Sequence, residues 1–209
     1  MSVTLLLVII TCGISYYALN NYSLMDKLIL NPARVTRRNE YYRFVTSGFI
    51  HADFGHLLFN MLSLWFVGEG IERLFGALFG ASGTLYYLFL YIVGIIVSDI
   101  PTFLKHRNNS NYNSLGASGG VSAVLFAAIL FAPTMTVSLY FFIKMKAFIF
   151  GILFLGYSFY EARRGTSYVN HSAHMVGAIF GMVFMAVVYP ASVPGFFAQI
   201  GEWIGTLRP

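Results

Sequence analysis

The chain has 209 residues, of which 57% are hydrophobic and only 10% are charged. Soluble domains carry roughly 25% charged residues, so the composition excludes a typical soluble domain and indicates several membrane spans. Six spans of about 20 residues with short loops would fill the chain, which predicts a single membrane domain over residues 1–209. The net charge of +5 suits loops beside anionic lipid headgroups, and no basic and aromatic pattern indicates nucleic acid binding.

Apolar runs separated by polar or proline-containing segments predict an all-α bundle of six transmembrane helices. The first run has no preceding Lys or Arg and no small-x-small cleavage site, so it is interpreted as a retained span rather than a signal peptide. Pro101 is expected to end the third span and Pro133 the fourth. The spans are predicted at residues 3–19, 54–69, 78–97, 115–131, 147–160 and 172–189, followed by an amphipathic surface helix at 191–209.

The connections between the predicted spans differ in length and composition. About thirty residues follow the first span, with arginines and tyrosines among them. A loop of this length is expected to be structured, with its tyrosines and arginines at headgroup level. Residues 105–113 predict an aqueous loop and residues 134–146 an interfacial one.

Three polar clusters interrupt the apolar runs, each near the start of an even-numbered span. Even-numbered spans run in the same direction, so the three starts are expected in one leaflet. A serine, a histidine and a pair of hydrogen-bond donors can then meet at one depth, as a serine hydrolase inside a membrane requires. The clusters are His56 with Asn60, residues 116–120 around Ser118, and residues 171–177 around His174.

Ser118 and His174 are the candidate nucleophile and general base. Small residues surround Ser118, and Gly177 and Gly181 follow His174 on one helical face. If these two faces pack together, the imidazole can approach the hydroxyl and take its proton during attack. The alternative interpretations are structural: a membrane serine commonly bonds to a backbone carbonyl, and a buried histidine can be satisfied in the same way.

His56 and Asn60 are the candidate oxyanion donors. They lie four residues apart on one helical face, and both side chains can donate hydrogen bonds to a developing negative charge. The alternative interpretation is a polar contact that joins two helices, a common use of asparagine in membranes.

The other titratable residues do not suggest a third catalytic group or a metal. No aspartate is predicted inside a span near the clusters, so a Ser-His dyad is predicted rather than a triad. His51 is expected to hydrogen-bond within its own loop and His106 to be solvated. His171 and His174 are three residues apart, but no carboxylate is expected nearby, so no metal and no cofactor are predicted.

In this order, the motifs resemble those of the rhomboid intramembrane serine proteases over residues 40–181. The first-loop string Glu40-Tyr41-Tyr42-Arg43 is similar to a Glu-x-Trp-Arg element of the family, with Tyr42 in place of Trp. Four further strings resemble family signatures: His56-x-x-x-Asn60, Gly68-x-x-x-Glu72-x-x-x-Gly76, Gly116-x-Ser118-Gly119 and His174-x-x-Gly177-x-x-x-Gly181.

The resemblance implies a rhomboid-type fold and an endopeptidase that cuts transmembrane segments of membrane-protein substrates near their outer ends, without a cofactor. It implies an integral membrane protein, embedded in a lipid bilayer, whose site opens to the extracytoplasmic side. The compact six-span core and the lack of an organelle-targeting presequence fit the bacterial cytoplasmic membrane, with an organelle membrane as the alternative. The fifth span and the loop 162–170 would be gate and cap. Ser118 would be the nucleophile, His174 the base, and His56 and Asn60 oxyanion donors, with Gly116, Gly119, Gly177 and Gly181 supporting the site.

Two features depart from the family pattern. Ser122 stands where bacterial members carry an aromatic that packs on the catalytic histidine, so His174 must be held in another way. The family topology also puts nine of the thirteen Lys and Arg residues in outer loops. The distribution of Lys and Arg alone predicts the opposite orientation.

Two other functions remain open from the sequence. A non-catalytic relative that binds membrane helices would share the fold, although such relatives typically lack part of the dyad. A transporter or channel would use the polar clusters as a path, but acidic residues are missing from the predicted span interiors.

Overall fold

The computed structural model describes residues 1–139, 143–164 and 169–207, and these are mostly helical. Among these residues, six helices of 14 to 26 residues and a further 14-residue helix near the C-terminus form the body of the molecule. They are α1 (Val3–Leu19), α5 (Phe54–Phe79), α6 (Gly83–His106), α7 (Ser118–Phe131), α8 (Ala147–Arg164), α9 (His171–Val188) and α10 (Ser192–Gly205).

The long connection after α1 is structured, as the sequence predicts. It contains three short helices and a 3₁₀ turn at Ser47–Phe49. Arg43 is fully buried there, and its guanidinium donates to the Glu40 carboxylate at 2.5 Å and to the carbonyl of Ile29 at 2.6 Å. This arginine therefore links two separate parts of the connection, one at Ile29 and one at Glu40. The short helices are α2 (Tyr22–Leu28), α3 (Pro32–Arg38) and α4 (Arg43–Thr46).

Two paired β-strands lie within residues 134–139 and 143–146, where the sequence predicted an interfacial loop. Strand β1 (Thr136–Leu139) pairs antiparallel with β2 (Ile143–Lys146), and Thr136 lies opposite Lys146. Threonine, valine and isoleucine favour extended backbone, which accounts for the local structure. The expectation of a purely all-α fold was wrong at this point.

Two helices continue beyond the ends of the predicted spans. Helix α5 continues to Phe79, ten residues beyond the expected end, because Ile71 and Phe75 on this extension are buried in the core. Helix α6 passes through Pro101 and ends at His106. The part beyond the proline is fixed from outside the helix, since Thr102 accepts a hydrogen bond from Asn170 at 2.8 Å.

Two helical stretches among the described residues are long and apolar enough to cross a membrane. One covers Phe54–His106, which a 3₁₀ turn at Gly80–Ser82 divides into α5 and α6, and the other is α9. Helices α1 and α7 are apolar but shorter. At the C-terminus, α10 docks on the end of α7 through Gln199, which donates to the carbonyl of Phe131 at 2.9 Å.

A carboxylate on α5 caps the first turn of α1. Glu72 accepts the backbone N–H groups of Val3 at 2.7 Å and Thr4 at 2.8 Å. The Thr4 hydroxyl also donates to Glu72, and Tyr87 of α6 lies 2.8 Å from that hydroxyl. Helix N-termini have unpaired N–H groups and positive partial charge, so an anionic side chain is well placed here.

Glycines set the packing at the centre of the molecule. A Cβ atom at Gly177 would clash with the carbonyl oxygen of Gly119, and one at Gly181 would clash with that of Ala123. Helices α7 and α9 therefore meet backbone to backbone. Helix α6 joins the same contact, because a Cβ at Gly120 would lie 2.7 Å from the Tyr91 carbonyl oxygen.

We expect Gly181→Ala to lower the thermal unfolding temperature of the purified protein, because its new methyl group meets a backbone atom that cannot rotate away. Overpacking of this kind costs about 1–3 kcal/mol. The matched control is Gly13→Ala in α1, where no atom lies within 4 Å of the added Cβ. An equal unfolding temperature for Gly181→Ala and the wild type would contradict the close contact.

Candidate active site

Ser118 is the first residue of α7 and is half-buried. The preceding Ala117 has no side-chain acceptor, and no side chain of the described residues caps the first turn of α7. The N–H groups at such a helix start are unpaired within the helix and attract negative charge. The hydroxyl of Ser118 therefore lies beside a set of backbone donors suited to an anion.

Gly116 lets the chain turn into α7 past a histidine. Its φ of 115° lies in a region that residues with side chains rarely adopt. A Cβ atom there would lie 2.8 Å from Cε1 and 2.9 Å from Nε2 of His56. The His56 ring is thus in contact with the segment two residues before Ser118.

The first loop holds this segment by its backbone. Ser114 and Leu30 exchange two backbone hydrogen bonds, at 2.9 and 3.0 Å. The Gly116 N–H donates to the carbonyl of Ser47 at 2.9 Å, and the Ala117 N–H donates to Nε2 of His51 at 3.3 Å. The approach to Ser118 is therefore fixed at three successive points.

His51 does more than hydrogen-bond within its own loop, and the expectation from the sequence was wrong. The side chain is fully buried and bridges α1 to the start of α7. Its Nδ1 lies 2.9 Å from the Ser15 hydroxyl, which donates to the carbonyl of Phe49 at 2.9 Å. A neutral ring protonated on Nδ1 satisfies all these partners, since Nε2 then accepts from Ala117.

His56 and Asn60 lie on one face at the beginning of α5. Asp53 caps this helix by accepting the His56 N–H at 2.8 Å. Asn60 is buried and donates one amide hydrogen to the His56 carbonyl at 3.0 Å. The His56 ring packs edge-on against His51, with centroids 4.9 Å apart. One hydrogen of the Asn60 amide remains available for another acceptor.

Aromatic rings from α8 hold the histidines of α9. Phe154 stacks on His174 with ring centroids 5.8 Å apart and an interplanar angle of 25°. Tyr157 packs edge-on against His171 at 5.4 Å, and the two histidine rings are 5.5 Å apart. These are favourable arrangements for ring pairs. Helix α8 thus supplies the aromatic that the sequence lacks at Ser122, which is buried within α7.

The helices of Ser118 and His174 are in contact close to both residues. Gly119 follows the serine directly, and Gly177, which presses on it, is three residues beyond the histidine. Within residues 1–139, 143–164 and 169–207, no hydrogen bond joins the Ser118 hydroxyl to the His174 ring. Such bonds are often long in proteins without substrate and shorten when substrate binds.

The chain matches the family model for the rhomboid domain over residues 38–191. The chain belongs to the rhomboid family. It is 34% identical over 150 residues to RHOMBOID-like protein 12, mitochondrial, of Arabidopsis thaliana, a match that covers 68% of this chain and 45% of that protein. It is 29% identical over 162 residues to the rhomboid protease GluP of Bacillus subtilis (strain 168), covering 78% of this chain and 29% of GluP.

Relatives named rhomboid proteases and relatives named rhomboid-like proteins are thus both similar to this chain. A third, the putative rhomboid protease YdcA of Bacillus subtilis (strain 168), is 32% identical over 92 residues, which are 44% of this chain and 41% of YdcA. The chain spans less than half the length of each of these three relatives. Membership of the family makes this a membrane protein, in agreement with its composition.

A buried polar network fixes the start of α9 in this rhomboid domain. Asp99 of α6 is buried and accepts a hydrogen bond from the Ser114 hydroxyl at 3.3 Å. Asn170 donates to Ser114 at 3.3 Å and to Thr102 at 2.8 Å, and it caps α9 by accepting the Ala173 N–H at 3.1 Å. The turn that carries His174 is therefore tied to α6.

The residues that support the candidate site, among them His51 and Phe154, were not predicted from the sequence. His51 could have been suspected from its apolar neighbours Phe49 and Ile50, since a histidine in such a run tends to be buried. Nothing in the sequence separates Phe154 from the other aromatics of α8. The expected cap at 162–170 falls partly on residues 165–168, outside the described residues. Among the described residues, no group of three or more His, Cys, Asp or Glu side chains is placed to hold a metal.

We expect acid to destabilise the protein through His51. Burial, with a smaller effect of His56, lowers the pKa of His51 from 6.5 to about 3. Between these values only the unfolded chain takes up the proton, so stability is retained above about pH 6.5 and falls as the pH decreases, by at most about 1.4 kcal/mol per pH unit. The measurement is the thermal unfolding temperature from pH 7.5 to 4.5.

The comparison for this pH dependence is between two variants. His51→Gln should unfold at a lower temperature at pH 7.5, since it loses bridging contacts, but its unfolding temperature should vary less with pH. His106→Gln at the surface end of α6 should retain most of the wild-type dependence. An undiminished acid sensitivity in His51→Gln would rule out His51 as its source.

Proposed function

We propose that this rhomboid protein is an intramembrane serine endopeptidase that cleaves transmembrane segments of other membrane proteins. The observation that carries the proposal is the backbone contact of α7 with α9, one residue after Ser118 and three residues after His174. Through this contact the helix that begins with Ser118 packs against the helix that carries His174. The relatives whose names contain the word protease support the same activity.

In this mechanism the residues divide the work of acyl transfer. His174 takes the proton of Ser118 as the hydroxyl attacks the scissile carbonyl, and returns it to the leaving amine. The developing oxyanion is stabilised by His56, by the free amide hydrogen of Asn60 and by N–H groups at the start of α7. Gly116 lets the chain pass the His56 ring, and Gly119 lets α7 pack on Ser98 of α6. Gly177 and Gly181 let α9 approach. No cofactor takes part.

The proposed membrane arrangement has six spans, α1 and α5 to α9. The starts of α5, α7 and α9 then lie at the extracytoplasmic side, where water enters the site. The polar network of Asp99, Ser114 and Asn170 lies at the same level, close to the starts of α7 and α9. The substrate would be a membrane helix that enters from the lipid beside α8.

A fluorophosphonate probe tests the dyad directly, because it reacts with an activated serine without any known substrate. We expect the purified wild type to be labelled at Ser118. Labelling should be lost in Ser118→Ala and in His174→Ala, the second because the hydroxyl loses its base. Labelled protein is measured by fluorescence after electrophoresis and located by mass spectrometry.

The matched control for this test is Ser122→Ala, one turn further along α7, which removes a buried hydroxyl outside the proposed dyad. It should be labelled like the wild type. Undiminished labelling of Ser118→Ala or His174→Ala would exclude the proposed dyad.

The stacking of Phe154 on His174 predicts a kinetic phenotype. Phe154→Leu should lower kcat for a fluorogenic transmembrane peptide by up to about tenfold, since a ring pair contributes about 0.5–1.5 kcal/mol. KM should change little and the acid limb of the pH profile should move, because the surroundings of the base change. Phe154→Tyr should restore both values.

The control for the stacking experiment is Phe159→Leu, an exposed aromatic on the same helix. It should leave kcat and the pH profile at wild-type values. Equal loss of kcat in both variants would show that α8 tolerates no leucine rather than that Phe154 orients the base.

A non-catalytic rhomboid that binds membrane helices is the second candidate. It is favoured by the lack of a hydrogen bond between the Ser118 hydroxyl and the His174 ring among the described residues, and by relatives named only rhomboid-like. It predicts no labelling of folded wild type by the probe, together with capture of a transmembrane peptide. The same labelling experiment therefore separates the two functions.

A further inference from the structure

A polar cavity of about 520 Å³ lies between the first loop and the segment before α7, apart from the candidate active site. Helix α2 and helix α3 form one side, and residues 110–113 form the other. The charged and amide side chains that line it include Arg34, Arg37, Arg38, Asp26, Asn111 and Asn113.

Positive charge exceeds negative charge around this cavity. Arg34 is neutralised by Asp26 at 2.7 Å and lies 3.2 Å from Glu40. Arg38 reaches the same Glu40 only at 4.0 Å. Among the residues that the structure describes, Arg37 has no ion pair. Two guanidinium groups therefore remain without a close carboxylate at the cavity.

The hydrogen-bonding groups of the cavity also favour an acceptor-rich ligand. Guanidinium groups donate only, and they bind phosphate oxygens with two parallel hydrogen bonds. Asn113 accepts from Asn31 at 3.0 Å through its side-chain oxygen, which leaves its NH₂ group as a donor. A ligand that matches these donors carries several oxygens and a negative charge.

Exposed tyrosines at and near the cavity indicate that it lies at the level of the lipid headgroups. Tyr22 lines the cavity and is 87% exposed, and Tyr16 and Tyr17 at the end of α1 are 71% and 62% exposed. Exposed tyrosines at the end of a membrane helix mark the headgroup region. We propose that the cavity binds a phosphate group, and that at this depth it is the phosphate of an anionic lipid headgroup.

This site is linked to the loop before Ser118 by short contacts. Asn31 in the cavity wall donates to the carbonyls of Ser110 at 2.9 Å and Tyr112 at 3.2 Å. Leu30 beside it pairs with Ser114. A bound phosphate joins α3 to residues 110–113 and so stabilises the segment that leads to α7. This inference does not depend on the proposed proteolysis.

The test is a ligand-induced shift of the thermal unfolding temperature of the full chain in neutral detergent. Dihexanoyl phosphatidylglycerol is titrated beside dihexanoyl phosphatidylcholine and sodium phosphate at matched ionic strength. A ligand that binds only the folded state raises the unfolding temperature with concentration. We expect phosphatidylglycerol to raise it by several degrees and phosphatidylcholine to have little effect.

The deciding variant is the double substitution Arg37→Gln and Arg38→Gln. Its apparent Kd for phosphatidylglycerol should rise about tenfold or more, because two charge-assisted contacts are lost. Arg37→Gln alone, at an exposed position, should show an intermediate loss. Arg73→Gln is the matched control, since Arg73 is an exposed arginine on α5 outside the cavity lining.

Each possible result of the titrations either supports or overturns the proposal. A shift lost in the double variant and kept in Arg73→Gln supports the site. An equal shift with sodium phosphate supports the phosphate chemistry and overturns its assignment to a lipid. A full shift in the double variant, or no shift of the wild type with any phosphate compound, overturns the proposal.

Discussion

The backbone contact between α7 and α9 is the constraint on which the rest of the structure depends. Where Gly177 faces Gly119 there is no space for a single methyl group. In a bilayer, lipid tails are as apolar as leucine, so helices gain more from close van der Waals contact than from burying apolar surface. This contact fixes the distance between the helices of Ser118 and His174, and α6 follows because Gly120 presses on Tyr91.

The first loop fixes the position of the first residue of α7, which helix packing alone does not determine. Glycines allow α7 to approach its neighbours, but they do not fix where its first residue lies. That position depends on hydrogen bonds from the loop, through Ser47 to Gly116 and through His51 to Ala117. The loop itself is anchored by the buried Arg43. A rigid loop and a close-packed bundle thus determine the start of α7 together.

Much of the fold could be predicted because its signals are local. Apolar runs predicted α1 at its observed bounds, and the order of short motifs indicated the family. Errors arose where distant contacts outweigh a local signal: Pro101 does not end α6, since Asn170 holds the residue beyond it. The partners of His174 could not be predicted, because Phe154 is one of many aromatics and only the packing of α8 selects it. His51 was misjudged for the same reason, as its partners lie on α1 and α7.

The capping of α1 by Glu72 has a consequence for the order of events during synthesis. The carboxylate that satisfies the amides of Val3 and Thr4 lies nearly seventy residues later in the chain. Until α5 has entered the membrane, water or lipid headgroups must meet these amides. Helix α1 therefore cannot take up its final register against α5 until translation has passed the first loop and α5.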